Sequence, residues 1–92
     1  MAKKIHSEQM FSYRILIEKD GKGFHGYVPA LRGCHSQGTT IAEAQKNLRE
    51  AIYGYIKTLQ AHQEPIPHDT SIEMIETIEV SMMPLYAASS RA

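Results

Sequence analysis

The chain has 92 residues, with ten Lys and Arg against ten Asp and Glu, and 42% of its residues are apolar. This length fits one domain, and the composition is that of a globular protein rather than a disordered one. A neutral chain is not an obvious nucleic-acid-binding domain, because such domains are usually basic. No apolar run approaches the roughly 18 residues of a membrane span, and no signal peptide is recognisable, so we expect no membrane association. Cys34 is the only cysteine, which favours a cytoplasmic location.

The charges are unevenly distributed along the chain. Residues 1–57 contain nine of the ten Lys and Arg residues and five acidic ones, whereas residues 58–90 contain five acidic residues and no Lys or Arg. Such asymmetry bears on partners rather than on fold. It fits a basic protein partner for the acidic segment, and it fits a solvated strand edge equally well.

Three strands are predicted in the first half of the chain. Residues 11–19 alternate apolar and polar side chains, which is the pattern of a half-buried strand. Glycines in the segment 20–23 predict a hairpin turn into a second strand at 24–28, which Pro29 ends. A third short strand is expected at 34–37.

A long helix is predicted over residues 41–62. Thr40 and Glu43 have the spacing of a capping box at its start, and Pro65 and Pro67 prevent its continuation. Gly54, in the middle of the helix, is expected to admit a close neighbour. The apolar stripe that should face the sheet consists of Ile41, Ala44, Leu48, Ile52, Tyr55 and Leu59.

A fourth strand is predicted at residues 77–83, where apolar and polar side chains again alternate. The element order β-β-β-α-β predicts an α+β fold, in which a four-stranded sheet carries the long helix on one face. We expect a single domain over residues 1–92, with an ordered core at about 11–83 and flexible ends.

No catalytic or metal-binding constellation is recognisable in the sequence. Cys34 and His35 are adjacent on a predicted strand, so their side chains point to opposite faces and cannot share one metal ion. The same geometry argues against a Cys-His nucleophilic pair, and Cys34 is expected to be a small buried residue. Glu18 and Asp20 are expected in a solvated turn rather than in a two-metal site. We therefore predict a non-catalytic protein without a metal or a cofactor.

The segment from Gly26 to Thr40, with the helix and the two prolines that follow, closely resembles the HicB family of antitoxins. That family shows a Tyr-x-Pro-x-Leu-x-Gly-Cys-x-x-x-Gly-x-Thr segment, a helix bearing Ala and Asn, and a terminal Pro-Ile-Pro. The resemblance covers about residues 13–67, and its residue types serve turns and close packing. The matching structural residues are Pro29, Leu31, Gly33, Cys34, Gly38, Thr40, Ala44, Asn47, Ala51, Pro65 and Pro67.

The resemblance implies a degraded ribonuclease H-like fold with the last strand beside the first. It also implies an antitoxin of a type II toxin–antitoxin system, whose partner is HicA, a small basic toxin that cleaves mRNA using a histidine. Many family members add a C-terminal DNA-binding domain, but only about ten residues follow the last predicted strand, so direct DNA binding is not expected. Three alternatives stay open: an orphan protein-binding scaffold of the same fold, a residual nuclease, and a DNA-binding regulator.

Two surfaces are predicted to bind partners. The sheet face away from the helix is expected to present Leu16, His25 and Tyr27, which suit a protein contact. We expect this open face to support a dimer or a higher homo-oligomer. An acidic surface should attract the basic toxin, and its residues are Glu73, Glu76 and Glu79.

Overall fold

The computed structural model describes residues 9–83. Three strands precede one long helix, and their bounds are β1 Leu16–Asp20, β2 Gly23–Tyr27, β3 His35–Gly38 and α1 Ile41–Ala61. The strands form an antiparallel sheet in the order β1-β2-β3, and α1 packs on one face of it. The fold is therefore α+β, as predicted. Of the ends that the sequence predicts to be flexible, residues 1–8 and 84–92 lie outside the described residues.

The hairpin between β1 and β2 forms where the glycines predict it. Gly21 has φ of 62°, which suits the first central position of a two-residue hairpin turn. The register begins at Leu16 opposite Tyr27, so β1 is shorter than the predicted strand at 11–19. The reason is that β2 ends at Tyr27 and the chain turns at Pro29, while the Val28 N–H continues the pairing toward β3 by donating to the carbonyl of Cys34 at 3.1 Å. Residues 11–15 therefore have no strand opposite them.

The loop between β2 and β3 closes on itself and places a leucine in the core. The Leu31 N–H donates to the Val28 carbonyl, and the Cys34 N–H donates to the Leu31 carbonyl, both at 3.0 Å. Pro29 lies inside the first of these turns, and Gly33 takes φ of 79°, a value that favours glycine. Leu31 is fully buried as a result, and Cys34 is buried as predicted.

Helix α1 begins at the predicted cap, although its two side chains bond differently from a capping box. The Thr40 hydroxyl accepts from the Glu43 N–H at 3.0 Å, as in such a box. The Glu43 carboxylate instead accepts from the Thr39 N–H at 2.6 Å and from the Thr39 hydroxyl at 3.0 Å. The backbone N–H of Thr39 is the main reason that the pKa of Glu43 is lowered. At the other end, Gln63 takes φ of 55° and the chain has left the helix before Pro65.

The core lies between α1 and the sheet and is small. Its buried members are Val28, Leu31, Cys34, Ala44 and Leu48, and no polar or charged residue between 9 and 83 is buried. Ala51, Ile52 and Tyr55 pack against this cluster, which confirms most of the predicted stripe. Ile41 was wrongly placed in it, because the side chain is 56% exposed in the first turn of the helix.

Two glycines allow the helix and the strands to approach each other closely. A Cβ on Gly26 would lie 3.2 Å from Leu48 Cδ2, and a Cβ on Gly38 would lie 2.5 Å from the backbone nitrogen of Ala44. Asn47 adds a tie, because its Nδ2 donates to the Gln37 carbonyl at 2.8 Å. The close approach expected at Gly54 is absent, since no atom outside its own stretch of helix lies within 4 Å of its would-be Cβ.

The predicted fourth strand is absent from the sheet described here. Residues 64–83 belong to no strand or helix, and every residue from 70 to 83 is exposed. We call residues 70–83 the arm. The correction has a physical reason: alternation predicts which side chains would share a face, but a strand forms only where another strand supplies its hydrogen bonds.

Replacing Leu48 should test the core directly. Leu48→Ala is expected to lower the free energy of unfolding by about 2–5 kcal/mol, because a fully buried side chain leaves a cavity when truncated. Urea denaturation followed by circular dichroism measures this loss. Ile41→Ala is the matched control on the same helix and should cost less than about 1 kcal/mol, because Ile41 is exposed. Equal losses in the two variants would contradict this description of the buried face.

Candidate partner-binding surfaces

The sheet face away from α1 brings together the three residues that the sequence assigns to it. Leu16 pairs with Tyr27, which pairs in turn with His35. His25 lies two residue pairs further along, between Glu18 and Gln37. Side chains alternate across a strand, and Gly26 faces Leu48 of the helix, so its neighbours His25 and Tyr27 face the other way. Leu16, His25 and Tyr27 thus lie together on the open face.

Aromatic rings cluster on this open face. His25 Nε2 lies 3.3 Å from His35 Nδ1, and their ring centroids are 5.2 Å apart. The ring of Tyr27 lies 6.3 Å from that of His25. A hydrogen bond between the two imidazoles requires one nitrogen to donate and the other to accept. The cluster is a flat, mixed polar and aromatic surface of the kind enriched at protein contacts.

His35 is the member of this cluster that the sequence did not assign to a binding surface. Its distance from His25 depends on the pairing of β2 with β3, which sequence alternation alone does not set. The sequence offered one signal for this contact: His25 and His35 flank a short loop containing Pro29 and Gly33, and two strands joined by a short loop pair with each other. Two imidazoles are too few for a metal site, and residues 9–83 contain no group of three or more potential metal-ligating side chains.

The predicted acidic residues lie on the arm, separate from the described sheet. Glu73, Glu76 and Glu79 are all exposed. The arm also exposes large apolar side chains, among them Ile72 at 86%, Ile75 at 90% and Met82 at 80%. Between residues 70 and 83 there is no Lys or Arg. The arm is therefore both acidic and apolar, and the structure does not join it to the open face.

The arm leaves the body of the protein at an ion pair that sequence reasoning missed. Arg14 donates to Asp69 Oδ2 twice, from its backbone N–H at 2.9 Å and from Nε at 3.1 Å. The Ser71 N–H donates to the other carboxylate oxygen at 3.0 Å. These bonds lower the pKa of Asp69, and the backbone N–H of Arg14 is the largest cause. The sequence Asp-x-Ser at residues 69–71 was a local signal, because an Asp side chain in a turn often accepts a hydrogen bond from the backbone N–H two residues later.

An aromatic contact supports the same anchor. The Tyr13 hydroxyl donates to the Pro67 carbonyl at 2.6 Å, and burial raises the pKa of Tyr13. The rings of Phe11 and His68 lie 5.4 Å apart. The segment before β1 thus holds residues 67–69, which contain the last proline of the matching Pro-Ile-Pro.

A groove runs between the segment before β1 and helix α1. Its volume is about 430 Å³. The apolar residues that line it include Phe11, Tyr13 and Ile15 on one side and Leu48, Ile52 and Ile56 on the other. The groove lies next to the start of β1, which is an edge strand of the described sheet.

No helix within residues 9–83 is both long enough and apolar enough to cross a membrane. What this part of the chain defines is a small α+β domain with its core on one side of the sheet and with uncovered apolar, aromatic and acidic surface elsewhere. That arrangement has the character of a binding domain.

Comparisons with known proteins give the family. The family described as HicB-like antitoxin of bacterial toxin–antitoxin systems matches residues 13–82. The chain belongs to this family. The chain is also similar to the crystal structure of the N-terminal domain of the Burkholderia pseudomallei antitoxin HicB, with a TM-score of 0.57 and 41% identity over 63% of this chain and 69% of that one.

Two further relatives resemble the chain over about two thirds of its length. A UPF0150 protein of Synechocystis is 46% identical over 67 residues, which are 71% of this chain and 84% of the relative. A UPF0150 protein of Thermoplasma acidophilum is 46% identical over 63 residues, which are 67% of this chain and 91% of the relative. Family membership places the chain among antitoxins, a class for which a toxin partner is the general expectation.

The anchor at Asp69 should make stability depend on pH in a defined direction. The pKa of Asp69 is lowered from its ordinary value of 3.8, so its contribution to stability is present above that value and is lost as the pH falls through the lower, folded-state pKa. Asp69→Asn should therefore lower the urea midpoint at pH 7, and its difference from the unsubstituted chain should shrink toward pH 2.

The control for this titration is Glu64→Gln, which removes the charge of another exposed carboxylate near the end of the helix. It should leave the midpoint at pH 7 nearly unchanged. A constant difference between Asp69→Asn and the unsubstituted chain from pH 7 to pH 2 would show that the ionised carboxylate is not what holds the anchor.

Proposed function

We propose that this protein neutralises a HicA-like, mRNA-cleaving toxin by binding it and covering its RNA-binding surface. The observation that supports this most strongly is the family match over residues 13–82, which includes both the open face and nearly all of the arm. The open face offers an aromatic patch, and the arm offers carboxylates. A small basic nuclease has the complementary charge, because it must bind RNA phosphates.

Occlusion rather than catalysis is the proposed mode of action. The His25–His35 pair has no carboxylate or nucleophile bonded to it among the described residues, whereas general acid–base catalysis needs an oriented partner. Cys34 is buried, and burial raises the pKa of its thiol, which disfavours the nucleophilic thiolate. These features support a non-enzymatic protein that acts without a cofactor.

Three further features belong to the same proposal. The protein acts in the cytoplasm, because the mRNA on which its toxin acts is there. Its fold is a degraded form of the ribonuclease H-like architecture, supported by the three antiparallel strands and the helix on one face. It self-associates into a dimer or a higher homo-oligomer, supported by the exposed apolar side chains of the arm.

Co-expression tests this function. The chain should restore growth to cells that express a HicA-like toxin encoded beside it, and affinity purification of the chain should recover that toxin. A toxin that is recovered but stays active on RNA would contradict occlusion, and growth arrest with no recovered complex would contradict the proposal as a whole. Purified chain incubated with labelled RNA and Mg²⁺ should give no cleavage above background.

The acidic arm should act mainly on the rate of association. Glu73→Lys combined with Glu79→Lys should slow binding to the toxin and weaken its salt dependence, because exposed charges steer the encounter. Stopped-flow measurements at low and physiological salt give both quantities. The matched control is Glu50→Lys with Glu64→Lys, which changes the net charge equally but on the helix and the loop after it. Equal slowing by both pairs would leave only a net-charge effect and would contradict a specific role for the arm.

A further inference from the structure

The arm exposes a run of large apolar side chains. Seven large apolar residues between 72 and 83 are each at least 63% exposed. Apolar side chains occupy positions 72, 74, 78, 80 and 82, and Glu73, Thr77, Glu79 and Ser81 take the alternate positions; Ile75 and Glu76 interrupt the alternation between these two stretches. This period of two is that of a strand with one buried face. A contiguous apolar surface of this kind marks a contact site.

The sheet has an edge strand with an apolar groove next to its start, and a further strand could bind there. Strand β1 is at the edge of the sheet, and β2 is its only neighbour among the described residues. An edge strand presents unpaired N–H and C=O groups that accept a further strand. The apolar groove of about 430 Å³ lies beside the segment that leads into β1, between Ile15 and helix α1, where one face of a strand added to β1 and continuing past its start would be buried.

We infer that two copies of this chain exchange arms. The arm of each protomer adds to the β1 edge of the other as the fourth strand, and its apolar face fills the partner's groove. The inference deepens the self-association proposed above and does not depend on which toxin the protein binds.

The anchor at Asp69 argues for exchange rather than for pairing within one chain. Arg14 holds Asp69 beside the start of β1, yet residues 70–83 stay exposed and form no strand with their own β1. The same chain thus carries both an unpaired arm and a vacant edge. Two copies satisfy both needs reciprocally, which is the closed, two-fold arrangement that most soluble homo-oligomers adopt.

Charge favours the same partner. The arm carries Glu73, Glu76 and Glu79 without any Lys or Arg. Residues 9–57, which contain the sheet and most of α1, carry seven Lys and Arg against four Asp and Glu. Arg49 lies on the wall of the groove itself. An acidic arm therefore meets a body of opposite net charge, so exchange is favoured over the mutual approach of two arms.

Exchange has a consequence for the two surfaces predicted to bind partners. With the apolar positions of the arm facing the groove, Glu73 and Glu79 face the opposite side of the sheet, because side chains alternate across a strand. That side is the open face, where Leu16 and Tyr27 lie. Glu73 and Glu79 and the aromatic patch, which are separate in one chain, then form one continuous surface made from two protomers.

Site-specific cross-linking tests the exchange without any toxin. Glu18 on β1 and Glu79 on the arm would lie on the same face of the completed sheet, so each is replaced by Cys in a Cys34→Ala background. A tagged chain carrying Glu79→Cys is refolded with an untagged chain carrying Glu18→Cys and treated with a bismaleimide that spans about 10 Å, roughly two strand spacings. A covalent heterodimer is expected. The matched control replaces Glu50 on α1 by Cys instead of Glu18, and should yield at most a tenth as much product.

The chain that carries both Glu18→Cys and Glu79→Cys distinguishes exchange from pairing within one chain. Cross-linked product at twice the chain mass on a denaturing gel supports exchange. Product at the mass of one chain would show the arm on its own β1 and would overturn the inference. A dimer in solution that gives neither product would overturn the exchange while leaving self-association intact.

A pair of single substitutions gives an independent readout. Val80→Asp places a charge on the apolar face of the arm, and Ser81→Asp places the same charge one residue away on the polar face. Light scattering should show a dimer Kd at least tenfold higher for Val80→Asp and little change for Ser81→Asp. Because both residues are exposed in the single chain, neither variant should alter its circular dichroism. Equal effects of the two variants, or a monomeric mass for the unsubstituted chain at about 100 μM, where a dimer with micromolar Kd is assembled, would contradict the inference.

Discussion

The contact between Leu48 and the backbone of Gly26 fixes the arrangement of this small domain. Helix α1 lies so near the sheet that a Cβ on Gly26 would come within 3.2 Å of the leucine. Leu48 and Leu31 are the largest fully buried side chains between residues 9 and 83. Because all the buried residues lie between the helix and the sheet, the opposite face and the β1 edge remain uncovered. With so few buried side chains, truncating one of them removes a large share of a stability that is typically only 5–15 kcal/mol.

The uncovered surfaces agree with the family to which the chain belongs. An antitoxin needs surface that recognises a protein rather than a pocket that holds a small substrate, and the histidine and tyrosine patch on the open face is of that kind. The acidic, apolar arm is the other such surface. Arg14 and Asp69 determine where the arm leaves the body, so this ion pair sets which neighbours the arm can reach.

Local patterns predicted the helix, the hairpin turn and the residues of the open face, because periodicity and turn glycines act over a few residues. Leu48 was placed correctly by its spacing, whereas Ile41 has the same spacing but lies in the first helical turn, beyond the edge of the core. The strand predicted at 77–83 depends on a pairing partner that periodicity does not specify. His35 and Asp69 were missed for a related reason: one depends on the register between strands and the other on a contact between residues 55 positions apart.

Hydrogen–deuterium exchange at increasing protein concentration tests most directly the central claim that another copy of the chain completes this domain. Backbone amides of the arm and of the β1 edge should exchange rapidly when the protein is dilute, because neither has a partner in the single chain. As the concentration passes through the range of self-association, both segments should become protected together, while α1 stays protected throughout. Arm amides that exchange at the rate of an unstructured peptide at every concentration, in a protein that is demonstrably dimeric, would contradict the account.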